Sequence, residues 1–265
     1  MSDGAAGEVE DVGAVRDVWA PLRAATQARI GLGRAGSALS TSAVLEFQAA
    51  HAAARDAVHE PLDVDAFAAQ VAAVGLGAPI AVTSRAADRA EYLKRPDLGR
   101  LPGEFTDIPT STAELGFVLA DGLSPRALSE HGVGMLTALV AELGHLRIAP
   151  PVIATQARVA LGDHLGEALG VQTIIVVIGE RPGLSVADSL GIYLTHLPRP
   201  GRTDADRNCI SNIHPPDGLS YERAARTAAA LVAGARQLGR SGVALKDTSG
   251  DDLVASTAVT VEIEP

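Results

Sequence analysis

This chain of 265 residues has a single cysteine, Cys209. It can form no internal disulfide, and it reads as a cytoplasmic protein. Aromatic residues make up only 3% against 47% hydrophobic residues overall, so the core must be built from Ala, Val, Leu and Ile. Cations are also scarce. Lys and Arg number 22 against 32 Asp and Glu, for a net charge of −10. Such a balance argues against nucleic acid, because neutralising phosphates takes a Lys/Arg patch. It also argues against an anionic membrane surface. No apolar run is long enough to span a bilayer. The longest, TIIVVIG at 173–179, has the length of a buried strand. The first 13 residues are acidic and lack the apolar segment of a secretory signal.

What is present is a change of pattern near residue 100. Residues 1–12 read as a flexible tip. From there to about 100 the chain is Ala-rich and helical in period, with no strong strand-like run. Val15, Val18, Trp19 and Leu22 fall at helical spacing. SAVLEFQAAHAAARDAVHEPL reads as a second helix stopped by Pro61, residues 64–74 as a third, and SRAADRAEYLKRP as a fourth. After the Pro/Gly-rich connector RPDLGRLPGE, short apolar runs alternate with helices. The runs are LGFVLA, PPVIATQ, TIIVVIG, GIYLTHL and NCISNI, with TAVTVEIEP as a last strand or a tail. Alternation of this kind predicts an α/β fold, with a helical N-terminal region (1–100) and a Rossmann-like, mostly parallel sheet domain (101–265). Ligands of such sheets bind at the carboxyl ends of the strands, here ADGLS, ATQAR, IGERPG and SNIHP.

Individual motifs are weak. GLGRAG at 31–36 is a literal GxGxxG. A dinucleotide loop needs a strand before it and a helix after it, and the preceding LRAATQARI reads as helix. The expected roles are a link between helices or a glycine loop against a partner chain. The seven histidines are scattered, and none has metal-ligand spacing with Cys209. A Cys209–His214 nucleophile pair is disfavoured, since five positions along an extended strand place the two on opposite faces. Cys209 then reads as a small buried filler. Glu180, at the tip of the strongest apolar run, reads equally as a turn cap or as an acceptor for a ligand.

Taken together, the stretches ARIGLGRAGSALST, FQAAHAAARDAVH, SRAADRAEYLKRPDLGR, ADGLSP, IGERPGLSVADSLGIYLT and DADRNCISNIHPPDGLSYERAA resemble the small-subunit (light-chain) family of ethanolamine ammonia-lyase. The resemblance runs from about Val12 to Asp247. It implies a subunit of an adenosylcobalamin-dependent lyase that converts ethanolamine to acetaldehyde and ammonia. That family's small subunit pairs with a large barrel-containing subunit in a hetero-oligomer, and the cofactor lies between the two chains. In many bacteria the complex works inside a protein-shelled microcompartment of the cytoplasm. Carried over residue by residue, the cobalamin-binding positions are Val159, Glu180 and Cys209. No catalytic residue and no metal ligand is expected on this chain. The DxHxxG motif that lends a histidine to cobalt is absent, so the cofactor's own base is expected to remain its lower ligand. The competing readings are a self-sufficient nucleotide-dependent α/β enzyme and a thiol enzyme centred on Cys209.

Overall fold

A computed structural model describes residues 17–104 and 108–247. The expected tip at 1–12 and TAVTVEIEP lie outside the described residues. The chain divides into two compact units between Ala50 and His51, a point that falls inside one continuous helix. The first unit carries helix α1 (Ala20–Ala24) and the start of α2 (Thr41–His59). Between them GLGRAG runs irregularly into one turn at Gly36, closed by a bridge between Ala35 and Ala38, with Gly31, Gly33 and Gly36 all at positive φ. No strand precedes these glycines among the described residues, so the framing a dinucleotide loop needs is lacking.

The second unit is a six-stranded sheet with helices on both faces. Its elements are α3 (Val64–Ala72), β1 (Ile80–Thr83), α4 (Arg89–Lys94), β2 (Leu115–Ala120), α5 (Pro125–Leu143), β3 (Val152–Thr155), α6 (Leu161–Leu169), β4 (Thr173–Gly179), β5 (Leu190–His196), β6 (Asn208–Ile213) and α7 (Tyr221–Leu238). Strand order is β1-β3-β2-β4-β5-β6. The first four run parallel, while β5 is antiparallel to both neighbours. This is the expected α/β class, with one correction. The region before residue 100 is not wholly helical, because Ile80–Thr83 joins the sheet as its edge strand β1. Four residues are too few for a periodic signal, and only the pairing with β3 makes them a strand.

The helix ends follow local chemistry. Asp63, Asp88, Ser124 and Ser220 each accept a backbone N–H from the first turn of α3, α4, α5 and α7. Gly170 and Gly239 close α6 and α7 in the left-handed conformation. One layer of the core packs α3, α5 and α7 against Phe117, Leu119, Ile175, Val177, Ile192 and Leu194. Aliphatic and small residues dominate it, as the scarcity of aromatics requires. Ala224, Ala225 and Ala228 form the buried stripe of α7. On the other face Leu161, Leu165 and Leu169 of α6 cover Val118, Ile174 and Val176.

At the foot of that layer, Arg207 forms a two-pronged ion pair with Asp163 of α6 at 2.6 and 2.9 Å. Both side chains are almost fully buried. Removing one partner strands the other charge without solvent. Arg207→Met should therefore lower unfolding free energy by about 3–5 kcal/mol in urea titration. The double variant Arg207→Met/Asp163→Leu should recover much of that loss.

Candidate functional site

In an open sheet the natural crevice lies where neighbouring strands send the chain in opposite directions. Here that point falls between β2, whose chain leaves toward β3, and β4, whose chain leaves toward β5. A cavity of about 230 Å³ occupies it. Gly122 and Leu123 follow β2, Arg158 and Val159 follow β3, and Gly179, Glu180 and Arg181 end β4. Tyr92 of α4 and Tyr193 of β5 complete the wall with Ile178.

Two glycines let the strand ends meet. Gly122 has φ +56°, and a β-carbon there would stand 2.2 Å from the Gly179 carbonyl oxygen. A β-carbon on Gly179 would stand 2.1 Å from the Ser124 oxygen. The Leu123 amide donates to that Gly179 carbonyl at 2.9 Å. Just below, the buried Asp121 carboxylate accepts the Gln156 and Ala157 amides at 2.8 and 3.0 Å. Gln156 is at φ +54°. Asp121 also faces the Arg89 guanidinium at 3.5 Å. Arg89 and Arg158 lie over the Tyr92 ring at 4.8 and 4.6 Å, and the Tyr92 hydroxyl donates to the Ala157 carbonyl. Burial pushes the Tyr92 hydroxyl far above its usual range, so it stays a neutral donor.

The loop after β4 is anchored at the end that leads into β5. The Ser124 hydroxyl donates to the Ala187 carbonyl, and Asp188 approaches His131 Nε2 at 3.9 Å. Glu130, His131 and Asp188 bring one ligand atom each within 4.8 Å of one another. Glu130 is engaged by Arg126 and His131 Nδ1 by the Tyr221 hydroxyl, so the cluster serves as an anchor for this loop.

The structure brings the three expected residues to one neighbourhood. Val159 and Glu180 line the same cavity. Glu180 Oε2 accepts from the Ser189 hydroxyl at 2.8 Å and the Asn212 amide at 3.2 Å. Asn212 reaches it because β6 bulges there: Leu190 pairs Ile213 while Ile192 pairs Ile210, and Asn212 takes φ +62°. Gly191 leaves room for the Glu180 side chain, whose Oε1 would lie 3.0 Å from a β-carbon.

Cys209 needs two corrections. It does not sit at a strand's carboxyl end but is the second residue of the edge strand β6, level with Tyr193 midway along β5. Nor is it a buried filler, since the residue is exposed. It joins the site through Tyr193, its directly opposed partner on β5. Partial desolvation and then Glu180 push that thiol above its ordinary pKa, so it is held neutral. His214 is turned away from it, its Nε2 paired with Asn212 Oδ1 at 2.9 Å. The geometry therefore lacks both the base and the thiolate that a cysteine nucleophile requires. Sequence reasoning passed over Tyr92, Asp121, Arg158, Arg181 and Tyr193. Tyr193 alone carried a local signal, as the polar-tipped residue between Ile192 and Leu194.

The fold and site define a Rossmann-like α/β protein with a crevice at its strand ends. Its crevice offers a carboxylate, two guanidinium groups, a neutral thiol nearby and an apolar wall. The profile of the ethanolamine ammonia-lyase light chain matches residues 16–246. An ethanolamine ammonia-lyase small subunit of Rhodococcus erythropolis is 67% identical over 251 residues, covering 94% of this chain and 98% of the relative. The small subunits of Bradyrhizobium diazoefficiens and Xanthomonas campestris pv. campestris (strain B100) are 46% and 47% identical. They cover 87% and 91% of this chain and 90% and 92% of those relatives. The chain belongs to the ethanolamine ammonia-lyase light chain family.

Two outcomes follow for the site. Gly122→Ala should cost about 1–3 kcal/mol, read as a lowered urea midpoint, because both φ and the Gly179 carbonyl oppose the methyl group. Cys209 of the free chain should react with iodoacetamide several-fold more slowly than free cysteine at pH 8, with the rate still rising above the ordinary thiol pKa. Fast alkylation at pH 7 would contradict the neutral thiol.

Proposed function

We propose that this chain is the cobalamin-holding small subunit of an ethanolamine ammonia-lyase, active only in complex with a large subunit. The complex converts ethanolamine to acetaldehyde and ammonia. It acts in the cytoplasm, within a microcompartment where the host builds one. The observation that carries this reading is the meeting of Val159 and Glu180 in one cavity, with Cys209 directly opposite the lining residue Tyr193 on the neighbouring strand. The residue types suit a large amphipathic ligand. Leu123, Val159 and Ile178 offer apolar contact, and Glu180 offers a fixed acceptor for an amide or hydroxyl. The Cys209 thiol is small and neutral. Adenosylcobalamin, when bound, supplies radical chemistry of its own, and the chain's part is binding and orientation.

The size of the cavity supports a shared site. At about 230 Å³ it falls below the roughly 300–1,000 Å³ of a self-contained small-molecule pocket. A corrinoid placed here would need a second wall from another chain. The first unit also exposes Trp19, Leu22, Leu45 and Phe47, apolar surface of the kind partner chains cover. Among the described residues no helix is long and apolar enough to cross a membrane. The nucleotide-enzyme alternative keeps no support of its own, because its glycine motif lies outside any strand–helix frame.

Co-purification with the large subunit tests the proposal. The complex should retain adenosylcobalamin, seen by its absorbance, and deaminate ethanolamine, while this chain alone should not. Glu180→Ala should weaken cofactor retention about tenfold or more by loss of a charge-assisted contact. Cys209→Ser should bind more weakly or lose a modest part of the rate. Equal turnover by the large subunit without this chain would sink the reading. So would abolished turnover in Cys209→Ser with cofactor still bound.

A further inference from the structure

The cavity holds more positive charge than the expected site residues explain. Arg158 and Arg181 both line it. Neither has a carboxylate partner among the ion pairs of the described residues. Arg158 is the more telling of the two. Its guanidinium stacks on Tyr92 at 4.6 Å, and its Nε is buried with no hydrogen-bond partner. A buried charged donor without an acceptor is unfavourable, so a group that keeps this one fixed is accounted for best by an incoming acceptor. The position is also fixed from behind. The Arg158 amide donates to the Gly99 carbonyl at 2.8 Å, and a β-carbon on Gly99 would come within 2.9 Å of the Arg158 side chain.

A second feature of the same segment points the same way. Arg158 and Val159 lead directly into α6, whose first turn has no side-chain cap. Among the described residues the Val159 and Ala160 amides donate no hydrogen bond, so the positive end of this nine-residue helix lies beside the guanidinium. Free amides at a helix start together with arginine form an arrangement that proteins use for phosphate. Glu180 offsets only one of the two guanidinium charges, and its Oε2 is held on the far side by Ser189 and Asn212. Arg89 is set apart by its pairing with Asp121.

We infer that Arg158, the start of α6 and Arg181 form an anion subsite that takes a phosphodiester of the ligand. This rests on the cobalamin reading above, since cobalamin carries one such group, in the loop that links its lower base to the corrin. An amide oxygen of the corrin periphery could occupy a single donor, but it would leave the excess positive charge of the cavity uncompensated. The subsite therefore reads the nucleotide loop of the cofactor, while Glu180 reads an amide or hydroxyl elsewhere on it. Arg158 and Arg181 are binding and positioning residues here, not catalytic ones.

Two corrinoids that differ in this loop test the inference on the complex with the large subunit. Adenosylcobalamin carries the phosphodiester, and adenosylcobinamide lacks it. Dissociation constants are read from corrin absorbance after equilibrium dialysis, without reference to turnover. Arg158→Gln should weaken adenosylcobalamin binding about 10- to 100-fold, the range for a charge-assisted contact, and leave adenosylcobinamide within about twofold. Arg158→Lys should recover part of the loss. Arg181→Gln, at an exposed position where folding is not at stake, should show a smaller loss of the same selectivity. Equal weakening of both corrinoids, or no change in either, by Arg158→Gln overturns the subsite. Should Arg158→Gln fail to fold, the absence of selectivity in Arg181→Gln overturns it. A wild-type complex that binds neither corrinoid instead overturns the cobalamin reading itself.

Discussion

One buried carboxylate organises the crevice. Asp121 ends β2 with almost no exposure and receives two amides from the β3 loop and the charge of Arg89. Burial pushes its carboxyl above the usual range, while the amides and Arg89 favour the anion. Left alone, such a charge would cost several kcal/mol. Its partners are therefore held where they are, and each adjoins a residue that lines the cavity. The β3 loop carries Arg158 and Val159. Arg89 lies over Tyr92, whose hydroxyl returns to the same loop at Ala157. Next along the chain, Gly122 presses against Gly179 and brings Glu180 to the rim. A crevice assembled from three strand ends thus depends on one side chain that does not line it.

The opposite wall is set by sheet geometry. Antiparallel β5 places Tyr193 on the face that α6 packs. Beyond α6 that face is open, which exposes Cys209 and half exposes Tyr193. The bulge at Asn212 adds a residue to β6 and turns an amide toward Glu180. A neutral thiol, a protonated tyrosine and a fixed carboxylate lie along this wall. The charge distribution divides the crevice into an accepting side at Glu180 and a donating side at Arg158.

Much of this was legible in the residues. The alternation of apolar runs and helices gave the α/β class, and the strand ends ADGLS, ATQAR and IGERPG do supply the cavity wall. Caps such as Ser124 and Gly170 stood at the helix ends the pattern implied. Strand β1 was hidden, because four residues with a half-exposed pattern become a strand only through β3. The place of Cys209 opposite Tyr193 was hidden as well. Pairing register depends on the β5–β6 bulge, and no local signal marks that bulge. Arg158 and Tyr92, 66 positions apart in the chain, show no local sign of stacking.

The sequence by itself determined the elements and their class, because hydrophobic period, capping and turn residues act over a few positions. It determined the family too, through motifs spread along nearly the whole chain. Only the tertiary structure decided that Val159 and Glu180 share a cavity, that Cys209 reaches it through Tyr193, and that Arg158 is left with a donor to fill. Those facts turn on strand order and register, where residues far apart in the chain meet and burial sets the cost of leaving a charge unpaired.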